Sequence, residues 1–360
     1  MLDNTGYSGT ETALLEVGHY LVQRGHTVIL TGFNITTKYT ADGMTYIPHE
    51  QLLEQKSQYL SNLDFFCPIF YVHIDHHQND ILNELDPQKT FIWIWMQCNV
   101  QHYPLTAYFE RGFRMCASFL SPFVEQFYDK SMFHSCVTIG NAIGTHFLQE
   151  VQTPQQKKGR WVFHASYERG GDIANLVFHL VQKTKPEVAK SLHYASYDTV
   201  DHNKSNDQND VHFHGSLGKR DIASLLSSAD YFVYPLVLPS GLVHHDTYGS
   251  VMLEALASGA IVVTWNIACI PSVYHDYVIG ITPTWDDSMY DPFSIFGTVN
   301  HYMNSYHAIE TMANTILEIE KHPDYKEKVR RRGMEWARKQ IWENRGKSYE
   351  QWLLSALAKS

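Results

Sequence analysis

The chain has no surplus of positive charge. Its 28 Lys and Arg stand against 38 Asp and Glu, a formal charge of −10 over 360 residues. A global basic field for nucleic acid is therefore excluded, and attraction to an anionic membrane needs a local patch. No apolar run approaches the ~20 residues that span a bilayer. The longest, near residues 91–96, has the size of a strand. The amino terminus lacks the basic and apolar regions of a signal peptide. Cysteine is scarce: Cys67, Cys98, Cys116, Cys136 and Cys269, five in all with no C-x-x-C spacing. Most sit in apolar segments, which reads as free thiols in a reducing compartment and implies a cytoplasmic protein. Charged residues make up 18%, against a usual ~25%, and this argues against extensive disorder. What is present is 44% hydrophobic and 13% aromatic content, enough for two cores in a chain of two-domain length.

The pattern alternates strands and helices. Residues 11–24 carry Leu14, Val17, Leu21 and Val22 on one helical stripe. Strands follow at residues 27–31, 64–72, 89–96, 114–118 and 135–139. Several are apolar nearly throughout, as when helices cover both faces of a parallel sheet. The polar stretch 149–159 reads as a linker. The alternation then restarts, with strands at 160–165, 191–197, 211–214, 231–235 and 260–264. Helices are expected at 171–183, 220–228, 249–257 and from about Tyr306 onward. Residues 198–210 read as an exposed loop. Two doubly wound domains of this kind place a ligand cleft between them.

Three segments carry chemistry. The run from His245 to Gly259 holds Asp246 and Glu254, with seven residues between them. A helix starting near Tyr248 or Gly249 would offer free N–H groups and a positive dipole end to a diphosphate. The same spacing also fits a simpler arrangement, in which Asp246 or Thr247 caps the helix and Glu254 has a local partner. In the second segment, Ala165-Ser166-Tyr167-Glu168-Arg169-Gly170-Gly171-Asp172, Arg169 could serve a leaving diphosphate or be a solvated surface residue. The third, Tyr7-Ser8-Gly9-Thr10-Glu11, is a glycine turn opening the first helix.

Taken in order, these segments resemble a GT-B glycosyltransferase of the family 4, or group 1, type. The resembling elements are Ser8-Gly9-Thr10-Glu11, Gly25-His26-Thr27-Val28, Ile139-Gly140-Asn141-Ala142-Ile143 and Arg169-Gly170. Further along are Val211-His212-Phe213-His214-Gly215, Ala229-Asp230 leading to Tyr234-Pro235, the Asp246-x7-Glu254 element with its Glu-Ala-x-Ala-x-Gly tail, and Trp342. Four features depart from the family's pattern. The first acid is Asp246 rather than Glu. Ala165-Ser166 stands where a second cation is common. The histidine common after the fourth strand of the first domain is not evident, although Gln97 or His102 lies nearby. The first strand of the N-terminal domain is missing from this sequence.

The resemblance implies an α/β GT-B fold of two Rossmann-like domains facing a cleft. The N-terminal domain, 1–151, would bind the acceptor, and 152–335 the nucleotide-sugar donor. A last helix in 336–360 would pack back on the first domain. It implies transfer of a sugar from a nucleotide-diphosphate donor to a saccharide, lipid or protein-linked acceptor, with retention and without metal or other cofactor. Asp246 and Arg169 would be catalytic. Gly9, Arg169, Gly215, Asp246, Thr247, Tyr248, Gly249, Ser250 and Glu254 would bind donor, Asp246 holding sugar hydroxyls and Glu254 the ribose. Gln97 and His102 would line the acceptor side. A GT-B epimerase, an inverting transferase and a non-catalytic sugar-nucleotide-binding module are the alternatives.

Histidines His73, His76 and His77 around Asp75, His212 with His214, and His244-His245 lack a metal-ligand framework, and no Asp-x-Asp motif is present. Lys328, Arg330, Arg331 and Arg332 read as a solvated helix face, or as a patch for peripheral membrane contact.

Overall fold

Continuous apolar stretches become buried parallel strands, and the helical stripes between them become their covers. The computed structural model describes residues 9–32, 35–68, 76–96, 105–151, 158–196, 210–284 and 302–359. The chain divides into two compact units, Thr10–Asn141 with Trp342–Ser360, and Met1–Gly9 with Ala142–Ile341.

The N-terminal unit runs through α1 (Gly9–Gln23), β1 (Ile29–Leu30), β2 (Tyr39–Ala41), β3 (Met44–Tyr46), α2 (His49–Glu54), α3 (Lys56–Tyr59) and β4 (Phe65–Phe66). It continues with α4 (His76–Glu84), β5 (Phe91–Met96), α5 (Leu105–Glu110), β6 (Arg114–Phe119), α6 (Pro122–Glu125) and β7 (Ser135–Thr138). Among the described residues these strands form two sheets: a three-stranded one ordered β1-β3-β2 and a parallel four-stranded one ordered β4-β5-β6-β7. β2 and β3 form an antiparallel hairpin whose turn, Asp42-Gly43, has positive φ at both residues. Asp-Gly tolerates that conformation well. β5 is buried on both faces. Ile92, Ile94 and Met96 join the core with Leu82, Tyr108 and Phe119. On the other face Trp93 and Trp95 meet Tyr349 and Trp352 of the terminal helix at ring separations of 5.3 to 6.0 Å.

The C-terminal unit contains α7 (Thr145–Glu150), β8 (Arg160–His164), α8 (Gly171–Thr184), β9 (Ser191–Ala195), β10 (Val211–Phe213), α9 (Lys219–Ser227) and β11 (Tyr231–Tyr234). Then come α10 (Ser250–Ala257), β12 (Ile261–Trp265), α11 (Ile270–Val273), β13 (Ile279–Ile281), α12 (Ser305–Ile319) and α13 (Pro323–Ala337). The helix α14 (Trp342–Leu357) belongs to the N-terminal unit. The six strands make one all-parallel sheet ordered β10-β9-β8-β11-β12-β13. The chain winds outward from β8 in one direction and, from β11, in the other. The carboxyl ends of β8 and β11 therefore flank a topological switch point, where open α/β sheets bind ligands.

The division of the chain differs from the sequence expectation. It falls at Asn141/Ala142 rather than 151/152, and at Ile341/Trp342 rather than 335/336. The cause is local. Ile143 N–H donates to the Gln340 carbonyl at 2.8 Å, and α7 packs on α9. Both tie residues 142–150 to the C-terminal unit. The basic run on α13 is also split. Arg330 is buried against Asp230 at 2.6 Å and Arg332 pairs with Asp276, so the four cations do not form one solvated face.

Candidate donor site at the β8–β11 switch point

Arg169 lies just past β8, in a short 3-10 turn of Tyr167–Arg169. Gly170 follows at φ 105°, and a Cβ there would meet the Leu236 N and Val237 O backbone at 3.0–3.1 Å. Only glycine permits so close an approach. The Leu236 N–H donates to the Arg169 carbonyl at 3.1 Å, fixing this turn to the exit of β11. Tyr234, the last residue of β11, is fully buried, and its hydroxyl lies 3.2 Å from Arg169 Nη1.

Asp246 joins them. Its Oδ2 accepts from Arg169 Nη1 at 2.7 Å and from the Tyr234 hydroxyl at 2.8 Å. Its Oδ1 accepts the backbone N–H of Tyr248 at 3.1 Å and of Gly249 at 2.8 Å. The residue is 7% exposed. Burial pushes its carboxyl up, but the Arg169 charge, the Tyr234 hydroxyl and the two peptide donors outweigh it and hold it below the usual carboxylate range. Tyr234 is driven the opposite way, by burial and by the Asp246 charge, so its phenol keeps the proton that it donates.

α10 starts one residue later than the sequence implied, at Ser250, after Gly249 in the left-handed conformation at φ 71°. The Gly249 carbonyl accepts from the Tyr274 hydroxyl at 2.8 Å. Tyr248 is buried, with its ring 6.3 Å from that of Tyr274. Of this segment's donor candidates, Tyr248 therefore turns its side chain into the core. Thr247 and Ser250 are half-buried on either side of it.

Glu254 stands one turn into α10. Its Oε1 accepts from Lys219 Nζ at 2.5 Å. Its Oε2 is buried and has no hydrogen-bond partner among the described residues. The His164 Nε2 is 3.6 Å from it, while His164 Nδ1 donates to the Ala195 carbonyl at 3.0 Å. Burial raises the Glu254 carboxyl, yet Lys219 and His164 outweigh that and bring it to about 2.

The structure brings Arg169, Asp246 and Gly249 into contact, while Glu254, farther along α10, pairs with Lys219 and faces His164. Sequence reasoning missed Tyr234, Lys219, His164 and Tyr274. Only Tyr234 left a signal, its place at the end of the strand just before Pro235. Gly215 takes φ 66° in the loop before α9, and Gly9 opens α1. Gln97 and His102 lie outside the described residues, as do His73 and Asp75, while His76 and His77 open α4. His193 shares a hydrogen bond of 2.9 Å with His214 and stacks on His212. Among the described residues, no group of three or more His, Cys, Asp or Glu is arranged to hold a metal ion. No helix among them is long and apolar enough to cross a membrane.

Residues 165–288 match the family model described as Glycosyl transferases group 1. No curated protein matches the chain. Among solved structures, a sucrose-phosphate synthase from Thermosynechococcus elongatus aligns over 98% of this chain and 94% of its own, at 14% identity and a TM-score of 0.65. An alpha,alpha-trehalose 6-phosphate synthase from Burkholderia multivorans aligns over 98% and 97%, at 10% identity and a TM-score of 0.63. The pneumococcal O-GlcNAc transferase GtfA, solved with UDP and GlcNAc, aligns over 84% of this chain at 12% identity and a TM-score of 0.61. This chain spans 58% of that protein's length. The chain is thus of GT-B fold, and residues 165–288 of its C-terminal unit match the model of the group 1 glycosyl transferases.

Proposed function

We propose that the C-terminal unit binds a nucleoside-diphosphate sugar and that the protein transfers the sugar to a saccharide, lipid or protein-linked acceptor, with retention. The observation that carries this reading is Glu254. It presents a buried, ionised carboxylate oxygen that no donor reaches within hydrogen-bond distance, His164 Nε2 standing at 3.6 Å, at the switch point where the Arg169 cation is also held. A buried acceptor left open costs free energy until a donor arrives, and ribose hydroxyls are such donors. Arg169 and the amino end of α10 suit the diphosphate.

In the reaction the bond between the anomeric carbon and the diphosphate oxygen breaks. A bond from that carbon to the acceptor oxygen forms on the same face, and the acceptor proton passes to the leaving diphosphate. Negative charge grows on that diphosphate, and Arg169 is fixed where it stabilises the growth. With a fixed guanidinium and a helix amino end meeting that charge, the reading requires no divalent cation. Activity in the presence of EDTA tests this requirement, and activity that needs manganese contradicts it. The acceptor would be held by the N-terminal unit. Free thiols at Cys67, Cys116, Cys136 and Cys269 suit a reducing, cytoplasmic setting.

A thermal-shift panel of UDP, GDP, ADP and their sugars tests the donor assignment. One nucleotide series should raise the melting temperature, since a ligand at ~100 times its dissociation constant adds about 2.7 kcal/mol. No shift with any series contradicts the reading. Tight nucleotide binding without sugar transfer would favour a binding module instead.

A further inference from the structure

Lys219 is a cation in an unfavourable local place. It is the first residue of α9, whose cap Gly218 supplies no side-chain hydrogen bond. The amino end of a helix carries partial positive charge and favours an acid, so a lysine there offers α9 itself no stabilisation. The side chain turns instead to another element. Its ammonium lies 2.5 Å from Glu254 Oε1, 35 positions along the chain on α10, and it makes no other ion pair among the described residues. The two side chains are 27% and 12% exposed. An ion pair open to water would contribute little. Here the carboxylate is nearly enclosed, and an enclosed carboxylate without a cation takes up a proton instead.

We infer that Lys219 is a positioning residue for the nucleoside end of the donor, holding one oxygen of Glu254 so that the other faces the ribose. This deepens the donor-site reading above and rests on it. Among the described residues, the charged or titratable groups that face Glu254 are Lys219 from α9 and His164 from β8. They differ in reach. Lys219 makes a hydrogen bond, whereas His164 Nε2 stops at 3.6 Å, its ring anchored on the Ala195 carbonyl through Nδ1. Lys219 therefore sets the orientation of the carboxylate, and a fixed acceptor spares the ligand the cost of ordering it. Removing Lys219 has two consequences. Glu254 loses its orientation, and burial, now opposed by His164 alone, raises its carboxyl toward the range in which it takes a proton. A protonated carboxyl is a weaker acceptor for a ribose hydroxyl than a carboxylate.

The test is equilibrium binding to the whole chain between about pH 5 and 8. The variants are Lys219→Met, Lys219→Arg and Glu254→Gln, and Lys219→Met paired with Glu254→Gln. The probe is whichever of UDP, GDP or ADP binds the unaltered protein. Each variant is read as the ratio of its dissociation constant to that of the unaltered chain at the same pH, which cancels titration of the probe's phosphates. The unaltered Glu254 stays ionised across this range, its carboxyl lying at about 2. Lys219→Met should weaken the nucleotide about tenfold at the upper end, the equivalent of one hydrogen bond to a charged group. The ratio should then grow as pH falls, by up to about tenfold per pH unit. Lys219→Arg keeps the charge, so it should restore most of the affinity and give a flat ratio. In the Glu254→Gln background, Lys219→Met should change affinity less than about twofold and without a pH slope, because its effect runs through the missing carboxylate. A ratio for Lys219→Met that does not change with pH overturns the inference and leaves Lys219 a structural tie. An undiminished effect in the Glu254→Gln background also overturns it, since Lys219 then acts on the nucleotide directly. If Lys219→Met does not fold, Lys219→Gln takes its place with the same expectations. Failure of all three nucleotides to bind the unaltered protein overturns the donor-site reading itself, and this inference with it.

Discussion

Glu254 concentrates the chemistry of the site in one side chain. As the proposed ribose acceptor it touches a group that is unchanged during transfer. Glu254→Gln should therefore raise KM and weaken the nucleotide diphosphate with little change in kcat, which initial-rate kinetics and titration would show. The substitution has a second signature. The Glu254 carboxyl falls from an ordinary 4.5 to about 2 in the folded protein. Its stabilisation is therefore present above about pH 4.5 and is lost as pH falls through about 2. The gap in melting temperature between the unaltered protein and Glu254→Gln should be largest near neutral pH and narrow across that window. A gap independent of pH would show that Lys219 and His164 do not hold the charge. At this scale the sequence made the pair Asp246 and Glu254 legible through spacing. It did not show what each acid meets, because Tyr234 and Arg169 reach Asp246 from residues 12 and 77 positions away.

The elements owe their positions to partners distant in the sequence. Asp230, at the amino end of β11, is buried and accepts from Arg330 at 2.6 Å and Lys326 at 3.0 Å, both on α13. Asp230→Ala would leave Arg330 buried without its close counter-ion, while Lys326 keeps Glu320. The expected cost is about 3–5 kcal/mol, measurable by urea denaturation, while nucleotide affinity of the folded fraction stays unchanged because this network lies at the opposite end of β11 from Tyr234. A cost below about 1 kcal/mol would show the network to be solvent-screened. The aspartate before β11 and the buried strands were legible from apolar runs. The basic run on α13 misled, since a charge pattern does not show which arginine turns inward. The β2–β3 hairpin passed unnoticed although Asp42-Gly43 is a turn signal, because its three-residue strands are too short for an alternation to register.

For the whole molecule, the restart of strand–helix alternation announced two α/β units, and both are present. Their limits were less legible, because they depend on pairings such as Ile143 with Ile341. The terminal helix illustrates the same point. The Trp352 indole donates to Ser135 Oγ at 3.0 Å and packs on Trp93 at 6.0 Å, so the last residues complete a core begun some 250 residues earlier. Trp352→Ala should destabilise the N-terminal unit by about 3–5 kcal/mol. Calorimetry should show its transition lowered, with nucleotide binding by the C-terminal unit retained.

The central claim is that Arg169 stabilises a leaving nucleoside diphosphate. The direct measurement is the rate of nucleoside diphosphate release from the matching nucleotide sugar, for the unaltered chain and for Arg169→Ala. Loss of a preorganised donor of this kind costs about 10²–10³-fold in kcat. The account predicts a fall of that order in the folded protein, beyond what any loss of folded fraction explains, since removing Arg169 also leaves the buried Asp246 carboxylate without its counter-charge and lowers the melting temperature. Release at the same rate by both proteins would contradict it.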